Sequence, residues 1–163
     1  MHPSTFDLLD RLPQQGRLLW IGLRPERGAP VTVVESAEVV AGRGLVGDRA
    51  GQGLRLRPGK RQVTVFQHEH LAVLESILGR PVPPELLRRN LHIAGVNLHA
   101  LAGRRFTIGP VLLEHTGQAD PCHRMEAALG PGGFNAMRMH CGATTRVLQG
   151  GTIHLGDPVR LAP

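Results

Sequence analysis

Short apolar runs, each broken by glycine or proline after roughly ten residues, set the pattern of this chain and predict a fold made mostly of strands. Residues 4–12, within a polar lead-in of residues 1–15, read as a short helix that Pro13 ends. Residues 16–24 are apolar, bounded by glycine and too short for a helix, so they predict a first strand. Residues 31–34 and 37–41 are rich in β-branched side chains, and residues 61–67 alternate as a half-buried strand does. Residues 91–94, 104–109, 111–115, 144–149, 152–155 and 158–161 continue the series, and 134–140 are expected to be extended. Gly150-Gly151 and Gly156-Asp157 are turn pairs that favour hairpins between successive strands.

Helical spacing is rarer. Residues 68–78 place Leu71, Leu74, Ile77 and Leu78 on one face. His68 and His70 at its start are two positions apart and diverge, so they read as solvated or capping residues rather than a metal pair. The remaining segments are turns. Residues 42–49 predict a tight turn displaying Asp48 and Arg49, without the Lys-Ser/Thr ending of a phosphate loop. Residues 50–60 predict an exposed basic loop. The expected architecture is mainly β with a few helices, in one domain spanning 1–163. A mostly antiparallel barrel is its natural closure, since closing the sheet removes its free edges.

Composition sharpens this picture in two ways. With 21 glycines and 13 prolines, frequent turns argue against a helical bundle. No apolar run approaches the ~18 residues of a membrane span, and no secretory signal is visible, so a cytoplasmic location is the expectation. The net charge is +6 and almost wholly arginine, Lys60 being the one lysine. A basic barrel could bind nucleic acid, but aromatic platforms for stacking bases are scarce, with no tyrosine and Trp20 as the one tryptophan. Arginine's planar fork suits a small anionic ligand better.

Candidate chemistry centres on Thr116-Gly-Gln-Ala-Asp-Pro-Cys-His-Arg-Met-Glu126. Asp120 is a good N-cap and Pro121 suits the first helical position. Cys122 then falls in the first turn, where free N–H groups and the helix dipole favour the thiolate, with His123 and Arg124 adding positive charge. The ordinary alternative is a buried, inert thiol, the reading given to Cys141. Arg88, Arg89 and Asn90, at the start of a strand, could grip an anion from several directions, with Arg49 and Arg61 as further candidates. A zinc site from Cys122, His123, His140 and Cys141 lacks the usual two-residue ligand spacing.

Several of these landmarks occur together in one order: Gly44-Leu-Val-Gly-Asp-Arg49, Arg61-Gln-Val-Thr-Val65, Leu87-Arg-Arg-Asn-Leu91 with Gly95-Val-Asn-Leu98, Phe106-Thr-Ile-Gly109, Pro121-Cys122, and Arg146-Val-Leu-Gln-Gly-Gly151 leading to Gly156-Asp157-Pro-Val159. As an ordered set from about residue 31 to 163 they resemble the MOSC domain, the family named after the C-terminal part of molybdenum cofactor sulfurase. The resemblance implies a MOSC-type β-barrel whose cysteine after proline ligates molybdenum or carries sulfur as a persulfide. It implies a molybdenum cofactor (molybdopterin) with Cys122 as ligand; Arg88, Arg89 and Asn90 could hold its phosphate and hydrogen-bonding edges. Similar proteins reduce N-hydroxylated compounds such as amidoximes and hydroxylaminopurine. That activity would need an external electron donor and a proton donor, for which His123 and His140 are the candidates. Cys141 stands where the family pattern has a small residue such as glycine. Three functions stay open: a molybdenum-dependent reductase of small molecules, a sulfur-carrying or cofactor-binding module, and a nucleic-acid-binding barrel.

Overall fold

Residues 63–67 are buried at every position, unlike a strand with one wet face, and this shows where they lie. In the structure, a computed structural model describing residues 2–52 and 59–163, they form β5 (Val63–Gln67), covered on both sides. Val63 and Val65 face the interior of a barrel, while Phe66 belongs to a second apolar cluster under the helices.

The chain begins with α1 (Thr5–Leu9), capped by Ser4, whose side chain accepts from Asp7 N while the Asp7 carboxylate accepts from Ser4 N. It continues through β1 (Gly16–Leu23), β2 (Thr32–Val34), β3 (Ser36–Val40), β4 (Gly44–Leu45) and α2 (Arg49–Gln52) to β5. Then come α3 (His70–Leu78), a 3-10 turn (Pro84–Leu87), β6 (Leu91–Ala94), a second 3-10 turn (Leu98–Leu101), β7 (Arg105–Ile108) and β8 (Val111–Gln118). The chain ends with α4 (His123–Leu129), α5 (Gly133–Met137), β9 (Ala143–Gln149), β10 (Gly151–His154) and β11 (Pro158–Leu161).

Seven strands close a barrel in the order β11-β7-β8-β9-β5-β6-β1, with β1 returning to β11 and β2 attached outside on β1. Every pairing is antiparallel except β5 with β6, where α3 supplies the crossover that a parallel pair requires. A second sheet, β10-β3-β4, extends from this barrel. Leu18, Ile21, Ile93, Phe106, Ile108 and Leu113 are among the barrel's fully buried side chains. Leu74, Leu87, Met125, Leu129 and Met137 build the second cluster around Phe66. Among the described residues no helix is long and apolar enough to cross a membrane.

Two expectations fail here. Residues 133–137 are helical rather than extended, because the Glu126 carboxylate accepts from Gly132 N and Phe134 N and so caps α5 from a neighbouring helix. That cap comes from tertiary structure and has no signature within the segment. The predicted hairpins are also absent: β10 pairs with β3, and β11 with β7 and β1. β9 already has β8 and β5 on its two edges, so no edge is left for β10 to join. Of the basic loop, residues 53–58 lie outside the described residues, and its first part is α2 rather than loop.

Gly142, at the bend leading into β9, has φ +87°, and a Cβ there would meet the Val65 carbonyl oxygen and crowd Phe66 Cα. Gly142→Ala should therefore destabilise the fold by on the order of 2 kcal/mol or more. Gly79→Ala, with φ +68° but open space around it, should cost only about 1 kcal/mol. Paired urea titrations check the contrast, and equal losses would show that conformation rather than contact dominates at both sites.

Candidate functional site

The approach to Cys122 is set by the end of β8. Its pairing with β9 runs to Gln118 opposite Ala143, and Ala119 N still donates to Gly142 O at 2.9 Å. The extended chain thus continues past the expected turn, and helix α4 starts later than residues 120–122 suggest. Cys122 itself is the N-cap, with φ −139° and ψ 176°, and its carbonyl accepts from Met125 N at 2.8 Å. Asp120 is not the cap and Pro121 lies outside the helix. Cys122 is exposed at this corner, whereas Cys141 is buried; both are free thiols.

Below the corner lies a cleft of about 290 Å³, lined in part by Gln118, Asp120, Pro121, Phe134, Met139 and Cys141. Glu126, one turn into α4, holds the Phe134 side of the wall through the cap described above. Cys141 forms part of the floor, its Sγ donating to Met137 O at 3.2 Å. Burial pushes its thiol pKa up against the pull of the neighbouring Arg89, which suits a packed group rather than a nucleophile.

Arg89 is the unusual residue behind that floor. It is only 5% exposed, and its Nε donates to Cys141 O at 2.8 Å. Among the described residues neither terminal amino group has a hydrogen-bond partner and no carboxylate pairs with it. Burial lowers its pKa; Cys141 works against that shift, and Arg61 and Arg24 add to it. A buried cation that has no carboxylate partner, and whose terminal groups are not among the fully buried, partnerless atoms, is suited to an anion supplied from outside the chain.

Asn90 and Arg88 have different surroundings. Asn90 is fully buried: its Nδ2 donates to Gly22 O and Asp48 Oδ1, and its Oδ1 accepts from Arg24 Nη2, Thr64 N and Thr64 Oγ1. No donor remains for a ligand, so its geometry is that of a structural brace. Asp48 is buried in the same network rather than displayed, accepting from Arg24 N, Nε and Nη2 and from Ala50 N. Burial disfavours its charge, but Arg24's hydrogen bonds and charge, with the two backbone N–H groups, hold its pKa below the usual carboxylate value. Arg88, at φ 51°, donates to Ala29 O at 2.7 Å. Its pKa is lowered first by burial and then by Arg24, Arg49 and Arg124, so these arginines form one cationic neighbourhood. Arg24 has no signal in the sequence, since its partners are 24 and 66 positions away.

The candidate histidines separate. His123 is exposed beside Cys122. His140 Nδ1 donates to Ala136 O at 3.0 Å, a partner that can only accept, and its ring meets His70 edge-on at 4.9 Å between centroids. Among the described residues no three His, Cys, Asp or Glu side chains gather as a metal site, so the four-residue zinc arrangement does not form.

The MOSC domain profile matches residues 27–160. The chain belongs to the MOSC domain family. Its structure is similar to the YuaD protein from Bacillus subtilis, with 18% identity, 89% of this chain and 94% of that one covered, and a TM-score of 0.75. It is also similar to YiiM from Geobacillus stearothermophilus, with 19% identity, 91% and 75% coverage and a TM-score of 0.69. YiiM from Escherichia coli follows at 17% identity, 90% and 70% coverage and a TM-score of 0.68. At such identities these likenesses concern the MOSC fold alone. No curated protein sequence matches the chain.

Proposed function

We propose that this MOSC protein holds the molybdenum cofactor, with the Cys122 thiolate as the protein ligand to the metal, and reduces small N-hydroxylated compounds. The observation carrying this reading is the buried Arg89 guanidinium, without a carboxylate partner among the described residues, behind the cleft beside an exposed thiol. A soft sulfur donor and an unpaired cation fit a metal held by dithiolene sulfur and a pterin phosphate. Arg89 would meet the anionic part of the cofactor, and Arg88, Arg49 and Arg61 would add charge around it. When bound, the cofactor supplies two-electron oxo-transfer chemistry.

The chain's own residues do the rest. Cys122 at the N-cap presents its thiol to solvent on a backbone fixed by the Ala119–Gly142 and Met125–Cys122 hydrogen bonds. Removing oxygen from an N–OH group consumes two electrons and two protons and leaves N–H and water. The electrons would come from an external electron-carrier protein. His123, exposed next to Cys122, is the nearer candidate for passing protons, because His140 has Nδ1 committed to Ala136 O.

Protein made in a cofactor-competent host should contain molybdenum and pterin in equal amounts, and Cys122→Ala should lose the metal while retaining its circular dichroism. Metal analysis checks this, and wild-type protein without molybdenum would overturn the reading. The same exposure also favours a sulfur-carrier role. In that case intact-mass measurement after incubation with a cysteine desulfurase should add one sulfur, about 32 Da, to wild type and none to Cys122→Ala, the exposed thiol being the acceptor.

A further inference from the structure

His70 and His140, which the proposed chemistry leaves unused, meet between two helices. His70 opens α3, His140 follows α5, and both are half-buried. Their ring centres are 4.9 Å apart and their planes cross at 75°. His68, two positions before His70, lies instead against the His92 ring, 5.9 Å between centres. The fold thus gives His70 a partner from a distant part of the chain, where its sequence neighbour could not serve.

The ring nitrogens are set for a ligand. His140 Nδ1 donates to Ala136 O at 3.0 Å, so the proton sits on Nδ1 and the Nε2 lone pair is free. An imidazole with one N–H on a backbone carbonyl and the other nitrogen bare is the usual form of a metal-ligating histidine. On His70, Nδ1 is buried and has no hydrogen-bond partner among the described residues, which calls for a partner the chain does not supply. Burial and then His140 lower the His70 pKa against the pull of Glu69, which favours the neutral ring a metal needs.

The spacing fits as well. A zinc ion sits about 2.0–2.1 Å from an imidazole nitrogen, hence about 3.2 Å from the ring centre, so two rings aimed at one ion with centres 4.9 Å apart subtend about 100° at it. That angle lies between the octahedral and the tetrahedral. Glu69 cannot enlarge the set, because its carboxylate accepts from Gln67 Nε2 and Gly95 N. Among the described residues no three His, Cys, Asp or Glu side chains gather round one point, so water fills the other positions. We propose that His70 and His140 form a two-histidine site for a divalent late transition ion of the zinc, nickel or copper kind, with His140 Nε2 and a ring nitrogen of His70 as the protein ligands. A site of imidazole nitrogen without carboxylate disfavours magnesium and calcium, which take oxygen. The bound ion clamps the start of α3 to the turn after α5, two helices that supply Leu74 and Met137 to the Phe66 cluster. The site depends neither on Cys122 nor on molybdenum.

The test is a calorimetric titration of zinc chloride into the full chain carrying Cys122→Ala, so that the exposed thiol does not compete. One ion per chain should bind and raise the Tm, and magnesium chloride should do neither. His70→Gln and His140→Gln should each weaken zinc binding at least about tenfold, the least that losing even an outer hydrogen-bond partner of a ligand costs. His154→Gln, at an exposed histidine on β10, should leave it unchanged. Nitrogen NMR of the histidine rings, which needs neither glutamine variant to fold, should show zinc moving the His140 Nε2 resonance while Nδ1 keeps its proton. No zinc binding, binding unchanged in His70→Gln or His140→Gln, an equal loss in His154→Gln, or a His140 Nε2 that zinc does not move would each overturn the proposal.

Discussion

Asn90→Ala is expected to destabilise this protein by on the order of 3–5 kcal/mol, a large part of the ~5–15 kcal/mol that holds a domain of this size together. The reason is the number of groups left behind. Asn90 Nδ2 is a donor to the buried Asp48 carboxylate and to Gly22 O, and Asn90 Oδ1 is the acceptor for Arg24 Nη2 and for the backbone N–H of Thr64. Gly22 is on β1 and Thr64 on β5, on either side of β6 in the barrel, and Asn90 immediately precedes β6. Truncation leaves Gly22 O and Thr64 N without this partner in a dry interior and removes one hydrogen bond each from Asp48 and Arg24, which keep one another. Urea-induced unfolding followed by circular dichroism measures the loss. A cost below about 1 kcal/mol would mean that water enters and satisfies these groups, against the burial described here. Asn90→Ala should also show no selective loss of cofactor beyond its unfolded fraction, which separates a brace from a ligand.

The second large effect is acid sensitivity caused by His92. This β6 side chain is fully buried, with its ring 4.5 Å from Trp20, 4.8 Å from Phe66 and 5.9 Å from His68, centroid to centroid. Neither ring nitrogen has a hydrogen-bond partner among the described residues. Burial, reinforced by His68 and Arg89, pushes its pKa down to about 3 from an ordinary 6.5. Because the folded value is depressed, the unfolded chain binds the proton first as pH falls. The stability is therefore complete above about pH 6.5 and is lost progressively toward pH 3, by on the order of 4 kcal/mol in full. His92→Phe, which keeps a ring among rings, should flatten that part of the profile. Unfolding free energies at pH 7 and pH 4.5 for the two proteins give the comparison, and parallel pH profiles would exclude His92 as the cause. Carboxylates such as Asp48, held below their usual pKa, contribute equally to both proteins, so the difference between them belongs to the histidine.

The barrel was more legible in the sequence than its site. β1, β7, β8 and β9 announce themselves through apolar runs and β-branched residues between glycines, because one face or both of each strand must be buried. The order of the motifs around Pro121-Cys122 also carried the family. What could not be read depends on partners distant in sequence. Helix α5 needs a cap from Glu126, and the route of β10 depends on β9 having no free edge. Asp48 looks like a turn residue until Arg24 and Asn90 are brought to it. The adjacent residues Arg88, Arg89 and Asn90 share one motif but have three different surroundings: a donor to a loop carbonyl, an unpaired buried cation and a saturated amide. Local pattern identifies such a triplet, and only the tertiary arrangement tells its members apart.

The seam between β1 and β11 has a consequence for how the chain is made. Gly16 pairs with Val159, and Arg17 reaches Gly156 O across 139 positions, so the first barrel strand waits for the last. During synthesis β1 can pair early only with β2 and, once residues 91–94 have left the ribosome, with β6. Until residues 158–161 emerge, one edge of β1 and one edge of β7 stay without their final neighbours. Ring closure thus joins segments far apart in sequence, with a long loop to bring together, and until it happens the edge strands lack their final neighbours.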